Sequence, residues 1–205
     1  MSLESPATPA GVLALDRLSE QLLAATPDLR VAVAQDDADR EAAYRLRHEQ
    51  VTAERWAGAD RLPGGVEHDA YDADALHVCA WREDALTGTM RIVLPAHGRP
   101  LPVEAAFGVT VEPRGAVVEA GRLVIARAHR GDPSHAAWGA LFARGWLELR
   151  ARGYAVLAGA ATTRMVERLC ELGLPFEILG PAREYWGEDR HPVRLDPANG
   201  LPRWF

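Results

Sequence analysis

Apolar residues along the chain fall into two periods. Val12, Leu15, Leu18, Leu22 and Leu23 recur every three or four positions and predict an amphipathic helix over Val12–Ala25. The Pro-, Ala- and Ser-rich stretch Met1–Gly11 ahead of it predicts a frayed end. Leu29–Val33 predicts a short strand, and Asp36 or Asp37 caps a second helix carrying Tyr44, Leu46 and Val51 toward Trp56. Ala57–Asp74 has no period, four Gly or Pro and five acids, which predicts a long, polar, exposed loop.

Strand-like runs follow. Leu76–Trp81 and Leu86–Leu94 predict a β-hairpin turning at Arg82–Ala85. Pro95–Pro113, with four prolines, predicts irregular chain, and Ala116–Ala126 is the most strand-like segment. Arg130-Gly131-Asp132-Pro133-Ser134 predicts a turn with Ser134 capping a helix over Ala136–Arg152 that Gly153 ends. Tyr154–Gly159 predicts a buried strand, Thr162–Leu172 a helix stopped at Gly173, and Phe176–Leu179 and Val193–Leu195 two more strands. Antiparallel strands followed by βαβ units predict an α/β class with a mixed sheet. Residues 1–28 then form an N-terminal extension with a helix, and residues 29–205 a single domain. Sheets of this kind bind ligands where neighbouring strand ends splay, here after Ala116–Ala126.

Composition narrows the chemistry. The 205 residues contain no lysine, so all 23 basic residues are arginine. Schiff-base chemistry, a pyridoxal anchor and a Walker-type phosphate loop all need a lysine amine, which arginine does not replace. A net charge of −6 speaks against nucleic acid as partner. No uncharged run exceeds eleven residues, too short to span a membrane, and the first residues lack a secretion signal. Cys79 and Cys170 form no metal or redox pair by spacing and suit a reducing cytoplasm.

Four features carry candidate chemistry. Glu67-His68-Asp69-Ala70-Tyr71-Asp72 concentrates three carboxylates, either as a solvated loop or as a site for a cation, an amine or, with His68 and His77, a metal. Val117–Ile125 is apolar except for Glu119 and Arg122, which a period of two sends to opposite faces; Gly121 between them marks a bulge or a close backbone approach. The ordinary reading is an edge strand with both charges in water. Arg91 interrupts another apolar strand and either snorkels or pairs with those acids. Trp138, Phe142 and Trp146, spaced by four, share one helix face as core or as a lipid-tail tunnel.

In order, Arg47, Trp56, Glu67-x-Asp69-x-x-Asp72, Arg91 after Gly88, Phe107 and Glu119-x-x-Arg122 resemble the motif series of the acyl-homoserine-lactone (autoinducer) synthases. The related N-acyl amino acid synthases share much of it, and Leu101-Pro102-Val103-Glu104 and Tyr185-x-Gly187 are more similar to that branch. The resemblance spans about Ala43–Arg130. Val51 stands where the autoinducer synthases have Phe, and the spacings around Trp56 differ. The Gly pattern of the usual pyrophosphate loop is incomplete after Arg130-Gly131.

The resemblance implies a GNAT-like acyltransferase fold, a central, mixed, mostly antiparallel sheet flanked by helices. It implies an N-acyltransferase moving an acyl group from acyl carrier protein or coenzyme A to an amino-acid-like amine, S-adenosyl-L-methionine being one family acceptor. No metal or other cofactor is implied. The product is an acyl-homoserine lactone, a quorum-sensing signal, or an N-acyl amino acid. In this picture Glu119 is the base, and Arg122 acts beside it. Arg47, Arg91 and Arg122 pair with Glu67, Asp69 and Asp72 to shape the acceptor pocket, with Trp56 and Phe107 against it. Backbone N–H groups around Leu123, Val124 and Ile125 hold the oxyanion, and Trp138, Phe142 and Trp146 receive the acyl chain. Arg127, Arg130 and Arg144 are the candidates for docking an acidic carrier. Two competing readings are a non-catalytic acyl-thioester-binding protein and a metal-dependent hydrolase built on Glu67, His68, Asp69, Asp72 and His77.

Overall fold

A computed structural model describes residues 8–57, 62–130, 136–174 and 176–200 of the chain. Its centre is an antiparallel meander of β2 (Leu76–Arg82), β3 (Ala85–Val93) and β4 (Val117–Ile125). The two-residue turn between β2 and β3 holds Glu83 at φ 53°, the left-handed conformation such hairpins demand. β1 (Arg30–Val33) extends the sheet beyond β2, while β5 (Val156–Ala161) runs parallel to β4 on the other side. β8 (Glu188–Leu195) lies antiparallel to β5 and to β6 (Phe176–Ile178), and β7 (Arg183–Tyr185) forms a hairpin with it. The sheet order is β1-β2-β3-β4-β5-β8-β6, with β7 on β8.

Both sheet faces are covered, so β2 and β3 read as almost continuous apolar runs. On one face α1 (Ala10–Ala24) and α4 (Ala136–Ala151) build the main core, in which Val12, Leu15, Leu141, Trp146 and Leu149 meet Val118, Ile92 and Leu157. The helix expected in an N-terminal extension thus packs into the same core as the sheet, and Asp16 accepts the Trp146 indole N–H at 2.7 Å. On the opposite face lie α2 (Asp37–Ala53) and α3 (Pro102–Phe107), with Val117, Ala158, Val103 and Phe107 forming a second cluster. α5 (Thr163–Glu171) follows β5, and its Leu169 joins the main core. No described helix is long and apolar enough to cross a membrane.

Four elements depart from the sequence expectation. Proline-rich Pro95–Pro113 contains α3: Pro102 suits a first helical position, and Glu104 accepts the Leu101 and Val111 N–H groups at 2.8 and 2.9 Å. β8 begins at Glu188, five residues before the expected strand, and β7 was not expected. Consecutive charged residues, Arg183-Glu184 in β7 and Glu188-Asp189-Arg190 in β8, hide the strand period. α2 stops at Ala53, short of Trp56, and Arg55 takes φ 60° to turn the chain. The Ser134 cap lies outside the described residues.

Candidate active site

The site begins where two strands part. β4 and β5 pair only from Val117 to Glu119, opposite Val156 to Ala158. Beyond that point β4 stays on β3, with a register shift between the Arg91–Gly121 and Thr89–Val124 pairs that sets two residues, Arg122 and Leu123, against one, Met90. This bulge places Arg122 at φ 51°. The expectation that Glu119 and Arg122 face opposite sides is therefore corrected: the extra residue turns Arg122, and both line one cleft. The edge-strand reading is corrected as well, since β4 lies between β3 and β5.

Beneath the cleft three arginines and three acids form a closed ring. Arg47 Nε donates to Glu67, and its Nη1 and Nη2 donate to Asp72 at 2.6 and 3.1 Å. Arg91 Nη1 reaches Asp72 at 3.0 Å and Asp69 at 2.7 Å. Arg122 closes the circle with Asp69 and Glu67, each at 3.2 Å. Every arginine bridges two carboxylates and every carboxylate two arginines. The side chains of Arg47, Glu67, Arg91 and Asp72 are only 1–3% exposed. Loop Ala57–Asp74 is therefore not simply exposed. Glu67, Asp69 and Asp72 fold inward because α2, β3 and β4 supply the countercharge, and burial without it would be prohibitive. Burial alone would raise the Asp72 carboxyl; hydrogen bonds and charge from Arg47 and Arg91 hold it far below the ordinary range. The Glu67 N–H to Tyr44 carbonyl bond pins the loop to α2. His77, lowered by burial, places Nε2 3.1 Å from the Asp72 carbonyl and 3.3 Å from the Tyr44 hydroxyl. Among the described residues no group of three His, Cys, Asp or Glu is placed to hold a metal.

Glu119 stands outside the ring. It is buried on β4, and Oε2 accepts the Val103 N–H at 2.6 Å. Desolvation pushes its carboxyl up to about 7, against the lowering pull of that bond and of Arg91 and Arg122. A carboxylate so poised at a cleft has the proton affinity of a general base.

The cleft in front, about 320 Å³, is walled by Trp56, Val51, Tyr185, Trp186 and Arg190. Trp186, at φ 54° in the β7–β8 turn, stacks on Arg122, whose guanidinium carbon is 4.1 Å from the ring centre. Behind it, through the gap between β4 and β5, a pocket of about 170 Å³ lies on the α4 face, lined by Trp138, Phe142, Leu157, Leu169 and Phe176. Gly121, Arg122, Leu123, Ala160, Ala161, Met165 and Arg190 border both. Trp138 and Phe142 stack in parallel, 5.7 Å apart. A larger hollow of about 790 Å³ lies beside α3, but its carboxylate, Glu104, is already bound to two backbone N–H groups.

Of the sequence candidates, the structure gathers Glu119, Arg122, Arg47, Trp56, Glu67, Leu123 and Val124 around the cleft, with Asp69, Asp72 and Arg91 in the ring beneath. Phe107 is buried one layer away, touching the cleft only through Tyr185 at 5.4 Å. Ile125 borders neither cavity; its carbonyl accepts from Arg130 Nε. Trp146 is a core residue held by Asp16 rather than a pocket wall. Arg130 is paired with Glu54, Arg144 with Glu148 and the Val31 carbonyl, and Arg127 is exposed. Sequence reasoning did not find Trp186 and Arg190, which reach the cleft from the β7–β8 turn and from β8. The only signal was Tyr185-x-Gly187, a hairpin-type turn with aromatic flanks.

The fold has known counterparts. A profile of the acetyltransferase (GNAT) domain family matches residues 40–138. No curated protein matches the chain in sequence. Among solved structures, the acyl-homoserine-lactone synthase LasI superposes with a TM-score of 0.64 at 20% identity, covering 82% of this chain and 90% of that one. BjaI, a coenzyme A-dependent acyl-homoserine-lactone synthase solved with S-adenosylmethionine and isopentyl-CoA, gives 0.61 at 23% identity over 80% and 77%. FeeM, an N-acyl amino acid synthase from uncultured soil microbes, gives 0.62 at 18% identity over 86% and 92%. The chain therefore has the GNAT acetyltransferase fold, which it shares with acyl-homoserine-lactone synthases and an N-acyl amino acid synthase.

Proposed function

We propose that the chain is an N-acyltransferase that moves an acyl group from a thioester, on coenzyme A or acyl carrier protein, to the amine of an amino-acid-like acceptor. The observation that carries this is Glu119, a buried carboxyl near neutrality at the gap joining a polar, aromatic-walled cleft to an apolar pocket. The acyl tail lies in the pocket between Trp138 and Leu169, and the acceptor occupies the cleft beside Trp56. The amine nitrogen attacks the thioester carbonyl; its proton passes to Glu119, directly or through water. The carbon–sulfur bond then breaks, and the thiolate takes up a proton. N–H groups on the β4 edge that β5 leaves unpaired receive the developing oxyanion, worth roughly 3–4 kcal/mol per good donor. Alignment of the two substrates supplies more, about 7–11 kcal/mol when it is good.

The charge ring is neutral overall, so Glu67, Asp69 and Asp72 act by holding Arg47, Arg91 and Arg122 rather than by attracting the ammonium themselves. S-adenosylmethionine, present in the BjaI structure, and a plain amino acid are both acceptors of this class. Arg127 and Arg130, next to the end of β4, are the cations placed for an acidic carrier, and the thioester pools such an enzyme uses are cytoplasmic.

The test is mass spectrometry of lipid extracts from an expressing host, with thiol release by purified protein from an acyl thioester. An acyl amide dependent on the protein supports the reading, and a lactone ring separates homoserine lactone from acyl amino acid. Tight thioester binding with no product from any amine would replace it by the non-catalytic reading.

A further inference from the structure

Arg190 is the cleft cation whose bonding is incomplete. Arg47 and Arg122, on the other walls, each meet two carboxylates. Arg190, on β8, donates through Nη2 to Glu188 at 2.6 Å. That partner sits two residues away on the same strand, with 43% of its side chain exposed. The Arg190 Nε is buried and has no acceptor among the described residues. The guanidinium lies over the Trp56 ring, 5.1 Å from its centre, at the border of both cavities. A guanidinium presents a planar fork that fits a carboxylate with two parallel bonds, and here one prong is unused and dry.

We infer that Arg190 is the carboxylate-binding residue of the cleft, holding the α-carboxylate of an amino-acid acceptor and of its N-acyl product. This rests on the N-acyltransferase reading and adds to it the residue that grips the acceptor's acid end. A carboxylate on Nε and Nη satisfies the orphan donor and displaces Glu188 into solvent. Trp56 beneath shields the pair from water and strengthens it. The acceptor is then held at its acid end by Arg190, while its amine faces Glu119 on β4. An amine without a carboxylate has no such anchor.

Equilibrium binding separates this inference from the catalytic reading. Tryptophan fluorescence is titrated with N-octanoylglycine and with N-octanoylglycinamide, which differ only in the acid group. The wild type is expected to bind the acid roughly ten- to a hundredfold more tightly, the value of bonds to a charged group. Arg190→Gln is expected to abolish that ratio while leaving amide affinity unchanged. Arg183→Gln, which removes the exposed arginine across the hairpin, is expected to keep it. Equal affinities in the wild type, a preference that survives Arg190→Gln, or binding of neither compound overturns the inference. Preference without amine turnover leaves it standing and removes the catalytic reading; turnover without preference does the reverse.

Discussion

Arg122 follows Glu119 by three residues on one strand, yet the bulge at φ 51° brings both side chains to the same cleft. Arg122 belongs to the charge ring and Glu119 does not, so their roles divide. The arginine is neutralised by Glu67 and Asp69 and fixes the cleft's shape. The glutamate, with one backbone donor and no ion pair among the described residues, is left free to exchange a proton.

Glu119→Gln should therefore abolish catalysis and spare the fold. Loss of a general base costs about 10²–10⁴-fold in rate. In the wild type, kcat/KM should rise with pH through about 7, the value to which burial lifts Glu119, and the variant should lose that inflection. A pH–rate profile on both proteins decides it. Unchanged activity removes Glu119 as base.

The same residue should lower stability at high pH. Its carboxyl titrates near 7 in the folded chain and near 4.5 when unfolded, so the native state binds more protons between those values. Stability then falls as pH rises from about 4.5 to 7 and is flat above. Gln still accepts the Val103 N–H and carries no charge to bury. Urea unfolding at pH 8 should show Glu119→Gln more stable than wild type, by an amount on the order of 2–3 kcal/mol, with the gap closing by pH 4.

The ring predicts the opposite sign at low pH. Asp72 is held below its ordinary range in the fold, so it contributes stability above about pH 4 that is lost as acid protonates it. Arg47→Met leaves Glu67 and Asp72 buried with one arginine each and should cost about 3–5 kcal/mol. Arg47→Lys keeps the charge but loses the fork on Asp72, and should fall between. Denaturation midpoints followed from pH 7 down to pH 2 measure both; a Met variant as stable as wild type would show that the ring is not holding the loop.

How much of this could be read from the chain depends on the kind of signal. The meander, α1 and α4 announce themselves because burial on a regular lattice leaves a period. The ring was legible only in part: Arg91 in an apolar strand called for a carboxylate partner, and it was the resemblance to the autoinducer synthases that paired Arg47, Arg91 and Arg122 with Glu67, Asp69 and Asp72. The bulge was not: Gly121 marked a weak point in β4, but the register shift depends on pairing with Thr89 and Arg91, which are remote in sequence. Nor was Arg190, whose strand opens on three consecutive charged residues and reads as surface until Trp56 and β5 are placed against it. Trp138, Phe142 and Trp146 share a spacing, and only the tertiary packing sends the first two to a pocket and the third to Asp16.

Gly187 offers a test of the hairpin that overhangs the cleft. It has φ 70°, and a Cβ there would come within 2.8 Å of Trp56 Cγ and 2.9 Å of its backbone Cα. Gly187→Ala is therefore strained twice, by conformation and by contact. Displacing the β7–β8 turn shifts Trp186 off Arg122 and Arg190 off Trp56. Acceptor KM should rise about tenfold or more, while thioester KM and the unfolding midpoint change little, because the turn is remote from the main core. Equal effects on both substrates would mean that the hairpin does not belong to the acceptor side.

The division of the three α4 aromatics predicts a division of phenotype. Trp138 is half-buried at the pocket behind the splay, stacked on Phe142. Trp138→Ala opens that space and should shift the preference toward longer acyl thioesters, by about fourfold in kcat/KM per added methylene until the space is filled. Trp146 is 1% exposed in the main core and bonded to Asp16 on α1. Trp146→Phe should lower stability by about 1–3 kcal/mol, since the Asp16 carboxylate loses its indole partner, and should leave the chain-length profile where it was. Thiol release measured over a series of straight-chain thioesters, beside urea unfolding, reads both effects. If Trp146→Phe moves the chain-length optimum and Trp138→Ala does not, the acyl pocket lies on the wrong side of α4.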